Sequence, residues 1–154
     1  MFKKLIVLSV VAATVMLTGC SSVPVPLESK EIESITKTFP NPPSGKAGLY
    51  VYRGSNLIGR ANTQLKVVLD GDSIGRTSEN TYFYKVISPG QHKLDTQTTI
   101  GPSVPLVFNA EAGHNYFVKQ DPNVSSYVIY GGTSITMVDE AEGEKGVLEC
   151  EQAK

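Results

Sequence analysis

Apolar and polar residues alternate in short runs over most of this chain, but its first run does not alternate at all. Lys3 and Lys4 precede a stretch from Leu5 to Leu17 that only Ser9 and Thr14 interrupt. A spanning helix needs roughly 20 apolar residues, and no charged cluster follows to stop transfer, so the pattern predicts an export signal over residues 1–19 that is removed. Periodicity is then lost. Pro24, Pro26, Pro40, Pro42 and Pro43 break up a stretch rich in Ser, Lys and Glu, which predicts a flexible tether over residues 20–46. Within it, Leu27 to Phe39 has the spacing of a short helix with Leu27, Ile32 and Ile35 on one side, marginal in isolation.

From Leu49 onward the period becomes two. Leu49 to Arg53, Gln64 to Asp70, Ser73 to Thr77, Thr81 to Ile87, Gln91 to Thr99, Val104 to Ala110, His114 to Gln120, Ser126 to Tyr130 and Thr133 to Val138 read as strands. Asp70-Gly71, Ser88-Pro89-Gly90, Gly101-Pro102, Glu111-Ala112-Gly113 and Gly131-Gly132 separate several of them. Asp-Gly is the turn a tight hairpin requires, because both central residues take positive φ. About seven to eight short strands in one unit predict an all-β fold, a single antiparallel β-sandwich or open barrel, over residues 47–154. Asp139 is placed to cap a short terminal helix, with Glu140 and Glu142 near its positive end, although Gly143 and Gly146 each cost about 1 kcal/mol against alanine there.

Composition narrows the classes. The chain has 154 residues and a formal charge of −1, which becomes about −3 once Lys3 and Lys4 leave with the signal. There is no basic block to follow phosphates, so nucleic acid is not expected as a partner. The only cysteines are Cys20 and Cys150. If Cys20 is modified, Cys150 has no partner in its own chain, and is either a free thiol near a frayed terminus or half of an intermolecular disulfide.

Leu17-Thr18-Gly19-Cys20 resembles the lipobox of bacterial lipoproteins. The resemblance implies that the Cys20 sulfur takes a diacylglyceryl group, that the signal is cut before it, and that the new amino terminus is acylated. Ser21 and Ser22 stand where inner-membrane lipoproteins typically carry Asp, which implies an outer-membrane address in a host with two membranes. The body would face the periplasm, with the cell surface as the alternative. Further along, Tyr50-Val51-Tyr52-Arg53, Asp70-Gly71 with Ile74-Gly75, Tyr82-Phe83, Pro89-Gly90-Gln91-His92, and Ala112-Gly113 with Tyr116-Phe117-Val118 together resemble a family of bacterial lipoproteins known as a domain of unknown function. That resemblance implies a small β-sandwich similar to modules with a Pro-Glu-Gly-Ala signature, and no known reaction.

Candidate chemistry is sparse. Nucleophilic catalysis needs a nucleophile, a base and an orienting group. The only histidines are His92 and His114, and neither lies in a Gly-x-Ser-x-Gly setting or near a phosphate-binding glycine loop. Both follow turns at what should be one end of the domain, and with Glu111 they form a candidate zinc-like site; the alternative is that both point inward or cap the core by hydrogen bonding. Tyr50 and Tyr52 share a face, as do Tyr82 and Tyr84, so an aromatic stripe for sugar or peptide is a second candidate, with Arg53 beside it for an anion. The alternatives are that tyrosine simply suits a half-buried strand, and that Arg53 pairs with a nearby carboxylate in a solvated contact. The reading that results is a lipid-anchored envelope protein serving as a non-catalytic structural or protein-binding module, with a glycan- or peptide-binding module second and an enzyme third. Membrane lipid and other envelope proteins are the expected partners, no cofactor is expected, and oligomeric state is open.

Overall fold

Asp70 and Gly71 take φ of 54° and 95° and close a two-residue hairpin, the conformation that Asp-Gly predicts. It joins β2 (Leu65–Leu69) to β3 (Asp72–Thr77) in the computed structural model, which describes residues 25–55, 64–97, 104–125 and 128–154. β2 also pairs with β5 (Gly90–Gln97), and β5 with β6 (Leu106–Ala110), giving a four-stranded sheet in the order β3-β2-β5-β6. The second sheet is built on β1 (Ala47–Arg53), flanked by β4 (Thr81–Ile87) and β7 (Asn115–Ser125). β8 (Val128–Val138) and β9 (Glu151–Gln152) form its edges, in the order β8-β7-β1-β4-β9. The fold is thus a sandwich-like, mostly β body. Pairing is antiparallel apart from β1 with β7 and β4 with β9, which run parallel.

Leu49, Val51, Phe83 and Val118 from the five-stranded sheet meet Val67 and Leu94 from the other sheet to form the main core. All seven residues of β1 are buried. A strand with one wet face cannot show that pattern, so both faces of this sheet must be covered. The second cover is α2 (Glu140–Leu148), with Val147 and Cys150 packed among Tyr50, Tyr52, Tyr82 and Phe117. Asp139 caps α2 as expected, its carboxylate accepting from the Glu142 N–H at 2.8 Å. The two glycines that weaken this helix have a packing reason. A Cβ at Gly143 would collide with Cβ and the ring of Phe117, and one at Gly146 with the ring of Tyr52.

The folded body begins earlier than the tether boundary at residue 46 would place it. Val25 lies in the main core, Leu27 bridges to Ala153, and α1 (Lys30–Thr36) docks on the five-stranded sheet. Thr36 is the docking point. Its hydroxyl meets Tyr82 Oη at 2.7 Å and donates to Gln152 Oε1 at 2.6 Å, while its carbonyl accepts from Tyr50 Oη at 2.9 Å. The prolines interrupt regular structure here without freeing the chain, because tertiary hydrogen bonds and burial replace the local ones.

The described part of the expected strand Ser126 to Tyr130, from Val128 on, and the expected strand Thr133 to Val138 are one long strand pairing with β7, and Gly131-Gly132 lies within it. Residues 126–127 lie outside the described residues, as do the signal segment 1–19 and Cys20.

Candidate functional site

The tyrosine stripe is part of the scaffold. Tyr50 and Tyr82 are fully buried, Tyr52 is 3% exposed, and Tyr84 is half-buried. They alternate onto the face of the five-stranded sheet that α2 and Phe39 cover, so among the described residues these four tyrosines form no open aromatic surface. The Tyr50 ring stacks on Phe117 with centroids 5.0 Å apart and packs against Tyr84 at 4.6 Å and Phe39 at 5.5 Å. Burial pushes the Tyr52 and Tyr82 phenols up to about 12, and that of Tyr50 higher still.

Cys150 belongs to the same layer. It is 1% exposed, its thiol donates to the Arg53 carbonyl at 3.5 Å, and burial pushes its pKa up to about 12. The terminus is not frayed at this point, and an enclosed thiol cannot meet a second chain without unfolding. The intermolecular disulfide left open by the sequence is therefore closed to the native fold.

Arg53 differs from the expected solvated contact. It is 1% exposed at the end of β1, on the strand face that also carries Leu49 and Val51. Burial lowers its pKa, and the nearby Glu79 carboxylate opposes that shift. Neighbouring strand ends are polar and buried as well: Thr77 of β3 donates to Gln120 of β7 across the two sheets, and Thr81 bonds both backbone groups of Ser78. A guanidinium enclosed this way cannot reach an external anion.

His92, His114 and Glu111 do not converge. His114 and Glu111 are exposed, and among the described residues no group of three His, Cys, Asp or Glu side chains could hold a metal ion. His92 instead makes a contact that sequence reading missed. Its Nδ1 lies 2.6 Å from Asp70 Oδ2, its Nε2 lies 2.7 Å from the Ser88 carbonyl, and its ring packs near Phe108. Both neighbours are acceptors, so the ring serves both best as a doubly protonated cation donating from each nitrogen. It then has no lone pair to act as a base. Asp70 is already the hairpin residue, and its other oxygen accepts from the Lys93 N–H at 2.8 Å. The pair staples the β2–β3 turn to the β4–β5 turn.

The pH response follows. Burial alone would lower the His92 pKa, but the Ser88 carbonyl and Asp70 override it and raise it. The Asp70 value is lowered, its burial outweighed by the Lys93 N–H and His92. A raised imidazole stabilises the fold fully below its unfolded value and loses that contribution as pH rises through the folded value; a lowered carboxylate loses its contribution in acid. The staple should therefore contribute most between about pH 4.5 and 6.5. We expect the unfolding free energy, read from urea midpoints at constant m-value, to fall between about pH 6 and 9, by about 1 kcal/mol or less for so exposed a carboxylate partner, and that step to be missing in His92→Ala.

A family model described as "Protein of unknown function (DUF2846)" matches residues 43–143, from just before β1 into α2. A protein from Haemophilus influenzae described as "Uncharacterized protein" is 33% identical over 145 residues, covering 94% of this chain and 82% of its own length. No solved structure shows a significant match.

Proposed function

Because the chain belongs to the DUF2846 family of proteins of unknown function, we propose a role from its own residues. It is a lipoprotein, anchored through Cys20 to the periplasmic face of the outer membrane, whose body is a non-catalytic structural or protein-binding module similar to the Pro-Glu-Gly-Ala sandwiches. The observation that carries this reading is the order of Lys3 and Lys4, an apolar run, and Leu17-Thr18-Gly19-Cys20 directly ahead of a folded β body. Each buried methylene contributes about 0.8 kcal/mol, so several acyl chains hold a protein where one grips only marginally.

The conspicuous side chains support the non-catalytic part. His92 has both nitrogens engaged, and the phenols of Tyr50 and Tyr82, the Cys150 thiol and the Arg53 guanidinium are enclosed. A glycan- or peptide-binding role through the tyrosines loses its support for the same reason. Confinement to a membrane raises effective concentration near other envelope components, so a weak binding surface suffices.

Cross-linking in whole cells, followed by identification of the captured proteins, tests this. Discrete adducts that include outer-membrane proteins are expected, and those with outer-membrane proteins should vanish for Cys20→Ala expressed at the same level. Outer-membrane adducts that persist in the variant, or adducts of the acylated protein that contain cytoplasmic proteins, would count against the proposal.

A further inference from the structure

The early start of the folded body leaves almost no leash. Val25 is in the core, the Glu28 N–H donates to the Gln152 carbonyl at 2.8 Å, and the Lys154 N–H donates to the Pro26 carbonyl at 3.0 Å. Four residues, 21–24, separate Cys20 from Val25. A chain advances at most about 3.6 Å per residue, so five steps reach at most about 18 Å whatever their conformation. Val25 is therefore held at least that near to Cys20, and α1 begins five residues further along the chain.

The outward side of α1 carries two apolar side chains beside the exposed polar residues Glu31 and Ser34. Ile32 and Ile35 of α1 are 44% and 61% exposed, and their spacing of three puts them on one side of the helix. Glu33 and Thr36 occupy its buried side. Leu148, 55% exposed at the end of α2, adds a third apolar side chain nearby, since its carbonyl accepts from Lys37 Nζ at 3.5 Å. Lys30 pairs with Glu33 and Glu151, and Lys37 with Glu33, while Glu31, exposed on the same side as Ile35, is held by Ser29 at the start of the helix.

We infer that the Ile32–Ile35 face of α1, with Leu148, rests in the interfacial layer of the bilayer that carries the Cys20 lipid. The inference rests on the acylation of Cys20 proposed above. Two isoleucines and a leucine are too little apolar surface to bind a membrane from solution, where even a whole myristoyl chain is marginal. Carried on a body that begins five residues from the lipid, the same face meets the bilayer at an effective concentration roughly in the millimolar range, and a weak contact is then occupied. The anchor therefore fixes the orientation of the body as well as its location, and turns the four-stranded sheet away from the lipid.

The chain has no tryptophan, so one introduced residue reports alone. The test uses acylated mature protein with Ile35→Trp, or with Val107→Trp on the exposed side of β6, in phosphatidylethanolamine–phosphatidylglycerol vesicles with and without brominated acyl chains. Both sites are exposed and should tolerate the ring. Expected is blue-shifted emission for Ile35→Trp, with roughly half or more lost to the brominated chains, and water-like, unquenched emission for Val107→Trp. If the protein floats with the vesicles and Ile35→Trp is quenched no more than Val107→Trp, the membrane-contact inference is overturned and the anchor stands. If purified mature protein carries no acyl mass and does not float, the anchor itself fails, and this inference with it.

Discussion

Tyr50→Ala is expected to cost about 3–5 kcal/mol, enough to unfold much of a domain whose whole stability is about 5–15 kcal/mol. The ring is the hub of its layer, touching Phe39, Tyr82, Tyr84 and Phe117, and aromatic pairs contribute about 0.5–1.5 kcal/mol each beyond the area they bury. Its removal also leaves the Thr36 carbonyl without the hydroxyl it accepts from, which loosens α1. Tyr50→Phe separates the two effects, keeping the packing and losing one buried hydrogen bond, for about 1 kcal/mol. Urea midpoints at unchanged m-value measure both. On an exposed ligand stripe, either substitution would stay within about 0.5 kcal/mol.

Cys20→Ala is expected to abolish acylation and leave the precursor uncut, since in lipoproteins the lipid goes on before the signal comes off. Fractionation alone would mislead, because the retained run from Leu5 to Leu17 is apolar enough to stay with membranes although short of the roughly 20 residues that span one. The informative readouts are incorporation of labelled fatty acid, expected to fall to background, and gel mobility, expected to match the full chain. A variant that is still processed and still labelled would mean that the lipid sits elsewhere.

The strands were legible because their signals are local. Asp70-Gly71 and Pro89-Gly90 needed only turn chemistry, and Asp139 only a cap followed by acidic residues. What covered each face was not local. Alternation separates Tyr50 and Tyr52 from Leu49 and Val51, but it cannot tell a wet face from one buried under α2 nearly 100 residues later. Thr36 likewise finds Tyr82 and Gln152 at separations of 46 and 116 residues, so its stretch read as tether. β9 is two residues long, too short for any period. Gly143 and Gly146 carried a usable signal that propensity alone misreads, since here each glycine marks a close approach to an aromatic ring.

The candidate site divides the same way. His92 was visible as one of two histidines, but Asp70 and Ser88 join it only through the pairing of β2 with β5 and the turn after β4. The motif around Cys20 is contiguous and needs no fold to be seen. It is also the premise on which the proposed role and the orientation of α1 both depend.

The intact mass of the mature protein, extracted from membranes, tests that premise most directly. The account predicts residues 20–154 with a diacylglyceryl group and an amide-linked acyl chain, both on Cys20. A chain that retains residues 1–19, with no acyl mass on the cysteine, would contradict it.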